Sequence, residues 1–220
     1  MNHARKSLRL VLAALILGAA APPVRAQTGV GTVEGTVTLR LGPQRRWATR
    51  YAGGAARSAQ EHEVRAVVYL EGELPASPAD GDVVDIVQVE GRFTPSTAAV
   101  RTGTLVRFPN EDPFFHNVLS FSRPRFDLGR YPSGEAREVR FDEPGIVRVF
   151  CDIHEFMRAV VLVTDHGFHA VLADDGSFTL SGVRAGTYTA VAYHPDAGTV
   201  EQVVTVVENR IARVSLELGG

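Results

Sequence analysis

Seven consecutive residues gather three side chains that bind soft metals. Cys151-Asp152-Ile153-His154-Glu155-Phe156-Met157 sets a thiolate, an imidazole and a thioether at intervals of three. Cys151 is the chain's one cysteine, and Met157 its one methionine besides Met1. A second imidazole, His116, lies upstream at the start of an apolar run. Two imidazoles, one thiolate and a weak axial thioether are a set that suits copper and tunes its potential. Zinc would accept the cysteine and both histidines but gains little from a methionine. Each residue alone has an ordinary explanation: His154 as a surface histidine, His116 as a hydrogen-bonded loop histidine, Met157 as core. Together they predict one type 1 (blue) copper per chain, held by His116, Cys151, His154 and Met157.

Ligands at such spacing need stiff elements behind them, and almost every later segment reads as strand. The runs expected to pair are 33–41, 64–70, 83–89, 98–108, 116–121, 136–141, 145–150, 157–163, 178–180, 186–193, 202–207 and 211–218, rich in Val, Ile, Thr, Phe and Tyr. Turn chemistry separates them at Asn110-Glu111-Asp112-Pro113, Pro132-Ser133-Gly134, Glu143-Pro144-Gly145 and Asp174-Asp175-Gly176. The fold expected is all-β, built as sandwiches. Residues 42–62 form a long loop in which Arg45, Arg46, Arg50 and Arg57 mix with Trp47 and Tyr51, and residues 74–81, with Pro75 and Pro78, read as a linker.

Residues 1–26 are a separate object. Arg5, Lys6 and Arg9 precede the apolar run Leu10 to Ala21, and Val24-Arg25-Ala26 offers a small-residue cleavage site. That run covers 12 residues, against roughly 18 or more for a membrane span. The expectation is a signal peptide cut near Ala26/Gln27, a periplasmic or otherwise exported protein, and no membrane span in the mature chain. The whole sequence has 23 basic and 25 acidic residues. Four of the basic ones and none of the acids lie in the leader, which leaves the mature chain at net −6. Nucleic acid and anionic membrane both reward positive surface, so neither is expected as a partner. An exported chain of 220 residues with a single thiol does not lean on disulfides, and that thiol is a liability unless something occupies it.

Residues 83–163 resemble a cupredoxin domain of the amicyanin and plastocyanin kind. Amicyanin has the same Cys-x-x-His-x-x-Met loop, and the likeness extends to Gly103-Thr104-Leu105-Val106, Phe108-Pro109-Asn110, His116-Asn117-Val118 and Phe141-Asp142-Glu143-Pro144-Gly145. The resemblance implies a Greek-key β-sandwich. It also implies that Asn117 ties the two ligand loops together by side-chain hydrogen bonds to backbone, and that electrons leave by the solvent edge of His154. Amicyanin has proline after that histidine. Here Glu155 stands in its place, adding charge to the expected docking surface.

The C-terminal part resembles a different family, the carboxypeptidase regulatory-like (transthyretin-like) sandwich, through residues 173–180 and Val183-Arg184-Ala185-Gly186-Thr187-Tyr188. The Gly35-Thr36-Val37-Thr38-Leu39 and Val67-Val68-Tyr69-Leu70 strands fit that family's first half. The whole layout is similar to periplasmic proteins of a methylamine-utilisation-like kind. The organisation expected is a signal at 1–26, strands at 27–75 that belong to the regulatory-like sandwich, a copper domain at 80–164, and the rest of the regulatory-like sandwich at 165–220. Pairing of 64–70 with strands beyond Phe168 would mark the copper domain as inserted; pairing only within 83–163 would mark two domains in series.

The functional expectation is a one-electron carrier between redox partner proteins of a cytochrome c or dehydrogenase-like kind. The alternatives are a copper chaperone or store, or a binding module with structural copper. No enzyme is expected. Copper oxidases and nitrite reductases set a histidine beside the ligand cysteine, where Phe150 and Asp152 stand here, and no nucleophile elbow or metallopeptidase helix occurs. His166, His169 and His194 are read as exposed loop histidines in preference to a second metal site.

Overall fold

A computed structural model describes residues 29–41 and 64–219. The leader, its cleavage site and the 42–62 loop lie outside the described residues. Seventeen strands and no helix are found among those described. The protein is all-β, as two sandwiches.

One sandwich draws on both ends of the described chain. Its first sheet has β1 (Val30–Leu39) between β14 (Ser177–Arg184) and β17 (Ile211–Leu218), antiparallel to the former and parallel to the latter from Thr32↔Ile211 to Leu39↔Leu218. Its second sheet runs β13 (His169–Val171), β2 (Val67–Glu71), β15 (Gly186–His194) and β16 (Gly198–Val206). Thus β2 pairs with Ala170 on one side and Val191 on the other, both beyond Phe168. Inward residues alternate along each strand, as a half-buried sheet requires. Val33 and Val37, Val68 and Leu70, Phe178 and Leu180, and Val214, Leu216 and Leu218 make one core. Gly35 sits among them because a Cβ there would lie 2.4 Å from the Val214 carbonyl oxygen and 2.7 Å from the Phe178 ring.

The other sandwich is made from the chain between. Its larger sheet has the order β6 (Thr97–Arg101), β12 (Arg158–Thr164), β11 (Gly145–Phe150), β8 (His116–Ser120) and β9 (Phe126–Tyr131). Facing it are β10 (Ala136–Phe141), β7 (Thr104–Pro109) and β3 (Val83–Asp85), and a ribbon of β4 (Val87–Val89) with β5 (Arg92–Thr94) closes one corner. Phe93, Phe108, Phe141 and Tyr131 are fully or almost fully buried in its core, each contributing on the order of 1.5–3 kcal/mol of apolar burial. Phe93 meets Phe108 edge-on at 6.3 Å.

The two sandwiches are pressed together. Ala159, Val161 and Val163 of β12 face the second core, yet Val160 and Leu162, on the opposite face, are also only 2 % and 1 % exposed. Val67 and Val191 of the first sandwich are likewise buried outside its core. Tyr69, Ile146 and Leu162 line one cleft at this junction, and the Arg65 backbone N–H donates to Thr97 Oγ1 across it. A strand buried on both faces reads as a continuous apolar run, and Ala159-Val160-Val161-Leu162-Val163 is one.

Several expected strands come out divided or were absent from the expectation. The 98–108 run breaks at Thr102-Gly103, where Gly103 takes φ +89°, a conformation that suits glycine. The 83–89 run breaks into β3 and β4. Strands β5, β9 and β13 went unexpected: Asp127, Gly129 and Arg130 dilute the apolar signal of β9, and β5 and β13 are each three residues long.

Candidate metal centre

The metal loop is the connection between β11 and β12. Phe150 pairs with Arg158 at its base, and the seven residues between fold over one point. The Cys151 backbone N–H donates to the Met157 carbonyl at 3.3 Å, and that of Met157 to the His154 carbonyl at 2.9 Å. On the other flank of β11, Phe150 pairs with Leu119 of β8, which carries His116, three residues earlier, to the same end of the sheet.

There His116 Nδ1 and His154 Nδ1 each lie 3.8 Å from Cys151 Sγ, and 3.1 Å from one another. These three residues form the one cluster of potential metal ligands found among the described residues. A first-row ion roughly 2.3 Å from a thiolate and about 2.0 Å from imidazole nitrogens spaces its sulfur and nitrogen donors roughly 3.5–3.9 Å apart and its two nitrogens about 3.1–3.5 Å apart. The residues present fit a metal. Met157 is 1 % exposed and packs into the second core, tied by backbone to both Cys151 and His154.

Asp112 sets the tautomer of His116, the most buried of the three, and sequence reasoning missed it. Its Oδ2 lies 2.7 Å from His116 Nε2, with the imidazole 0 % and the carboxylate 6 % exposed. A hydrogen on Nε2 leaves the Nδ1 lone pair facing the sulfur, which is the tautomer a metal needs. The same carboxylate accepts the Glu90 N–H at 2.6 Å and the Gly91 N–H at 2.8 Å. Those amides converge because Glu90 and Gly91 both take positive φ, 55° and 71°, in the two-residue turn joining β4 to β5. Burial pushes the Asp112 carboxyl up, but the hydrogen bonds from Gly91, His116 and Glu90 outweigh it and hold it below its ordinary value. Asn110 in turn accepts the Asp112 N–H through its side-chain oxygen. The sequence signal was a carboxylate four residues before His116, in a stretch read only as a turn.

Asn117 departs from the expected role. Its backbone N–H points at Cys151 Sγ, 3.5 Å away, but its side chain donates to Asp127 Oδ1 at 3.1 Å, and its own Oδ1 has no partner. Asp127 is within reach because the β8–β9 ladder bulges between Asn117 and Leu119. A side-chain link between strand and loop is made instead by Arg130 and Asp152, at 3.0 Å.

His154 is half-buried, and burial followed by the charge of His116 lowers its pKa. Around it the surface is aromatic. Phe114 lies 5.1 Å from the His116 ring and 5.4 Å from that of His154, and Phe156 6.1 Å from the latter. Phe114, Phe115, Ile153 and Phe156 are all exposed, and Glu155 is exposed beside them.

His166, His169 and His194 are not the exposed loop residues expected. His194 is 0 % and His166 7 % exposed. His194 Nε2 pairs with the Val64 carbonyl, His166 Nδ1 accepts the Phe168 N–H, and His169 Nδ1 pairs with Thr164 Oγ1. Each is fixed in the first sandwich or at its junction with the second.

No family model matches the chain, and no curated protein does. Among solved structures, a copper-containing nitrite reductase from Thermus scotoductus SA-01 is 23 % identical over 44 % of this chain, with a TM-score of 0.38; the match spans a quarter (25 %) of that enzyme. A purple cupredoxin from Nitrosopumilus maritimus is 22 % identical over 38 % of this chain and 99 % of its own, TM-score 0.34. A reduced amicyanin variant is 26 % identical over 44 % of this chain and 97 % of its own, TM-score 0.34.

Proposed function

We propose that this chain is an exported type 1 copper protein that passes single electrons between partner proteins. The observation that supports it is the convergence of His116 Nδ1, Cys151 Sγ and His154 Nδ1 within 4.8 Å of one another at one end of a sandwich. Copper bound there would supply a one-electron couple, held by His116, Cys151 and His154 with Met157 as a further, weak donor. Strands β8, β11 and β12 hold the donors in place whatever the metal's charge, which keeps the rearrangement on electron transfer small. His116 and Cys151, 0 % and 4 % exposed, are kept from water. His154 alone reaches toward solvent, in an apolar patch that carries the Glu155 carboxylate beside it. The burial of Cys151 and His116 argues against a chaperone, which must release metal by ligand exchange. Export follows from the leader; among the described residues no helix is long and apolar enough to cross a membrane.

The test is to add one equivalent of Cu(II) and record the absorption spectrum and voltammogram. An intense thiolate-to-copper charge-transfer band is expected, absent in Cys151→Ala. In Met157→Leu the band persists and the potential rises, because an axial donor favours Cu(II). Colourless protein with copper fully bound would end the type 1 reading, and a redox-silent site would return it to storage or structure.

A further inference from the structure

The metal loop is gripped from both sides. Within its own sandwich Arg130 of β9 pairs with Asp152. At the other end of the loop the grip comes from the other sandwich. Arg158, the residue after Met157, donates Nη1 to Asp196 Oδ1 at 2.8 Å and Nη2 to Asp196 Oδ2 at 2.6 Å. This is the two-toothed geometry in which arginine and carboxylate bind most strongly and with least freedom. Asp196 stands in the turn between β15 and β16, and that turn is itself pinned. Its own N–H donates to His194 Nδ1 at 3.1 Å, while His194 Nε2 pairs with the Val64 carbonyl at 2.8 Å. The imidazole, wholly buried, thus uses both nitrogens to hold the turn. Phe150↔Arg158 is the last pair of the β11–β12 ladder, so the clamp sits where the loop leaves regular structure.

We propose that Asp196 is a positioning residue for the metal loop, and that the accessory sandwich is a splint holding Met157 and Cys151 in place before any metal arrives. This rests on the metal-site reading for its purpose but not for its test. Packing alone would have met this turn with an apolar residue. A bidentate charge pair instead fixes the direction of Arg158, and with it the end of the loop.

The experiment compares the metal-free parent with Asp196→Asn and Asp196→Ala by amide hydrogen exchange. The Cys151 and Met157 amides, both hydrogen-bonded within the loop, should exchange about tenfold faster in either variant. The Ala190 and Ala192 amides, in the middle of β15, report whether the accessory sandwich stays folded. The double exchange Arg158→Asp with Asp196→Arg should restore loop protection. In the copper-loaded parent and Asp196→Asn, electron self-exchange should fall about tenfold in the variant, since a looser loop rearranges more. Unchanged loop protection in Asp196→Asn overturns the splint, as does loss of protection in β15 to the same degree as in the loop. A parent that fails to bind copper yet shows the loop effect counts against the metal reading alone.

Discussion

Replacing Asp112 with asparagine separates what that carboxylate does for the fold from what it does for the metal. Three donors meet its two oxygens: the Glu90 N–H at Oδ1, and the Gly91 N–H and His116 Nε2–H at Oδ2. Asparagine offers one acceptor oxygen and an amino group. Whichever way it turns, at least one buried donor faces another donor, which costs about 1–3 kcal/mol. In a chain of this size that lowers the melting midpoint by roughly 2–4 °C per kcal/mol. Metal binding loses more, because His116 is no longer held in the Nε2–H tautomer by an anion. Removing such a partner typically lowers metal affinity by about 10–100-fold. The potential should rise, since losing a negative charge near the ligand favours Cu(I) over Cu(II). A Cu(II) competition titration, a melting curve and a voltammogram read the three effects. Copper affinity within twofold of the parent, with an unmoved potential, would refute the role given to Asp112.

Acid should loosen the junction between the sandwiches. Burial, then His166, then Arg101 lower the His169 pKa to about 4, so the unfolded chain, with histidine near 6.5, binds more protons between those values. Its contribution is complete above pH 6.5 and is lost as pH falls toward 4, about 2 kcal/mol after allowance for partial solvent screening. Denaturant melts from pH 7 to 4 should show the slope, and His169→Gln should flatten it. At Gly35, alanine would drive its Cβ to 2.4 Å from the Val214 oxygen and 2.7 Å from the Phe178 ring. A loss of about 3 kcal/mol is expected, seen as a lower melting midpoint while the metal-site spectrum stays as it was; an unmoved midpoint would mean the strands part easily.

The candidate cluster was legible because much of its signal is local: Cys151 and His154 share one loop, and a thiolate has few other uses in a chain with one cysteine. The all-β class was legible from period and turn residues. Asp112 was not, because its meaning depends on the Glu90-Gly91 turn, which lies on another ribbon and sends two amides to it. The burial of His194 was hidden for the same reason: its partner carbonyl is at Val64, 130 positions away. For Asn117 the family resemblance described a side-chain link that the bulge in β8–β9 redirects to Asp127. His116 also meets Cys151 from another strand, yet it was readable because the loop's donors leave a copper set short of one imidazole; nothing of that kind marks Asp112 or His194.

The parallel pairing of β1 with β17 sets an order of events during synthesis. Thr32 is made well before Ile211, its ladder partner far along the chain. Until β14 and β15 are made, β1 and β2 have no sheet to join, and exposed unpaired strands are templates for aggregation. The intervening stretch 83–164 closes its own ladders without them. It can therefore fold first and bring residues 71 and 169 toward each other, shortening the search that remains. Closing the largest loop last makes the accessory sandwich the slow step of maturation. Its Arg158–Asp196 grip on the metal loop would then form only once the last strands are in place.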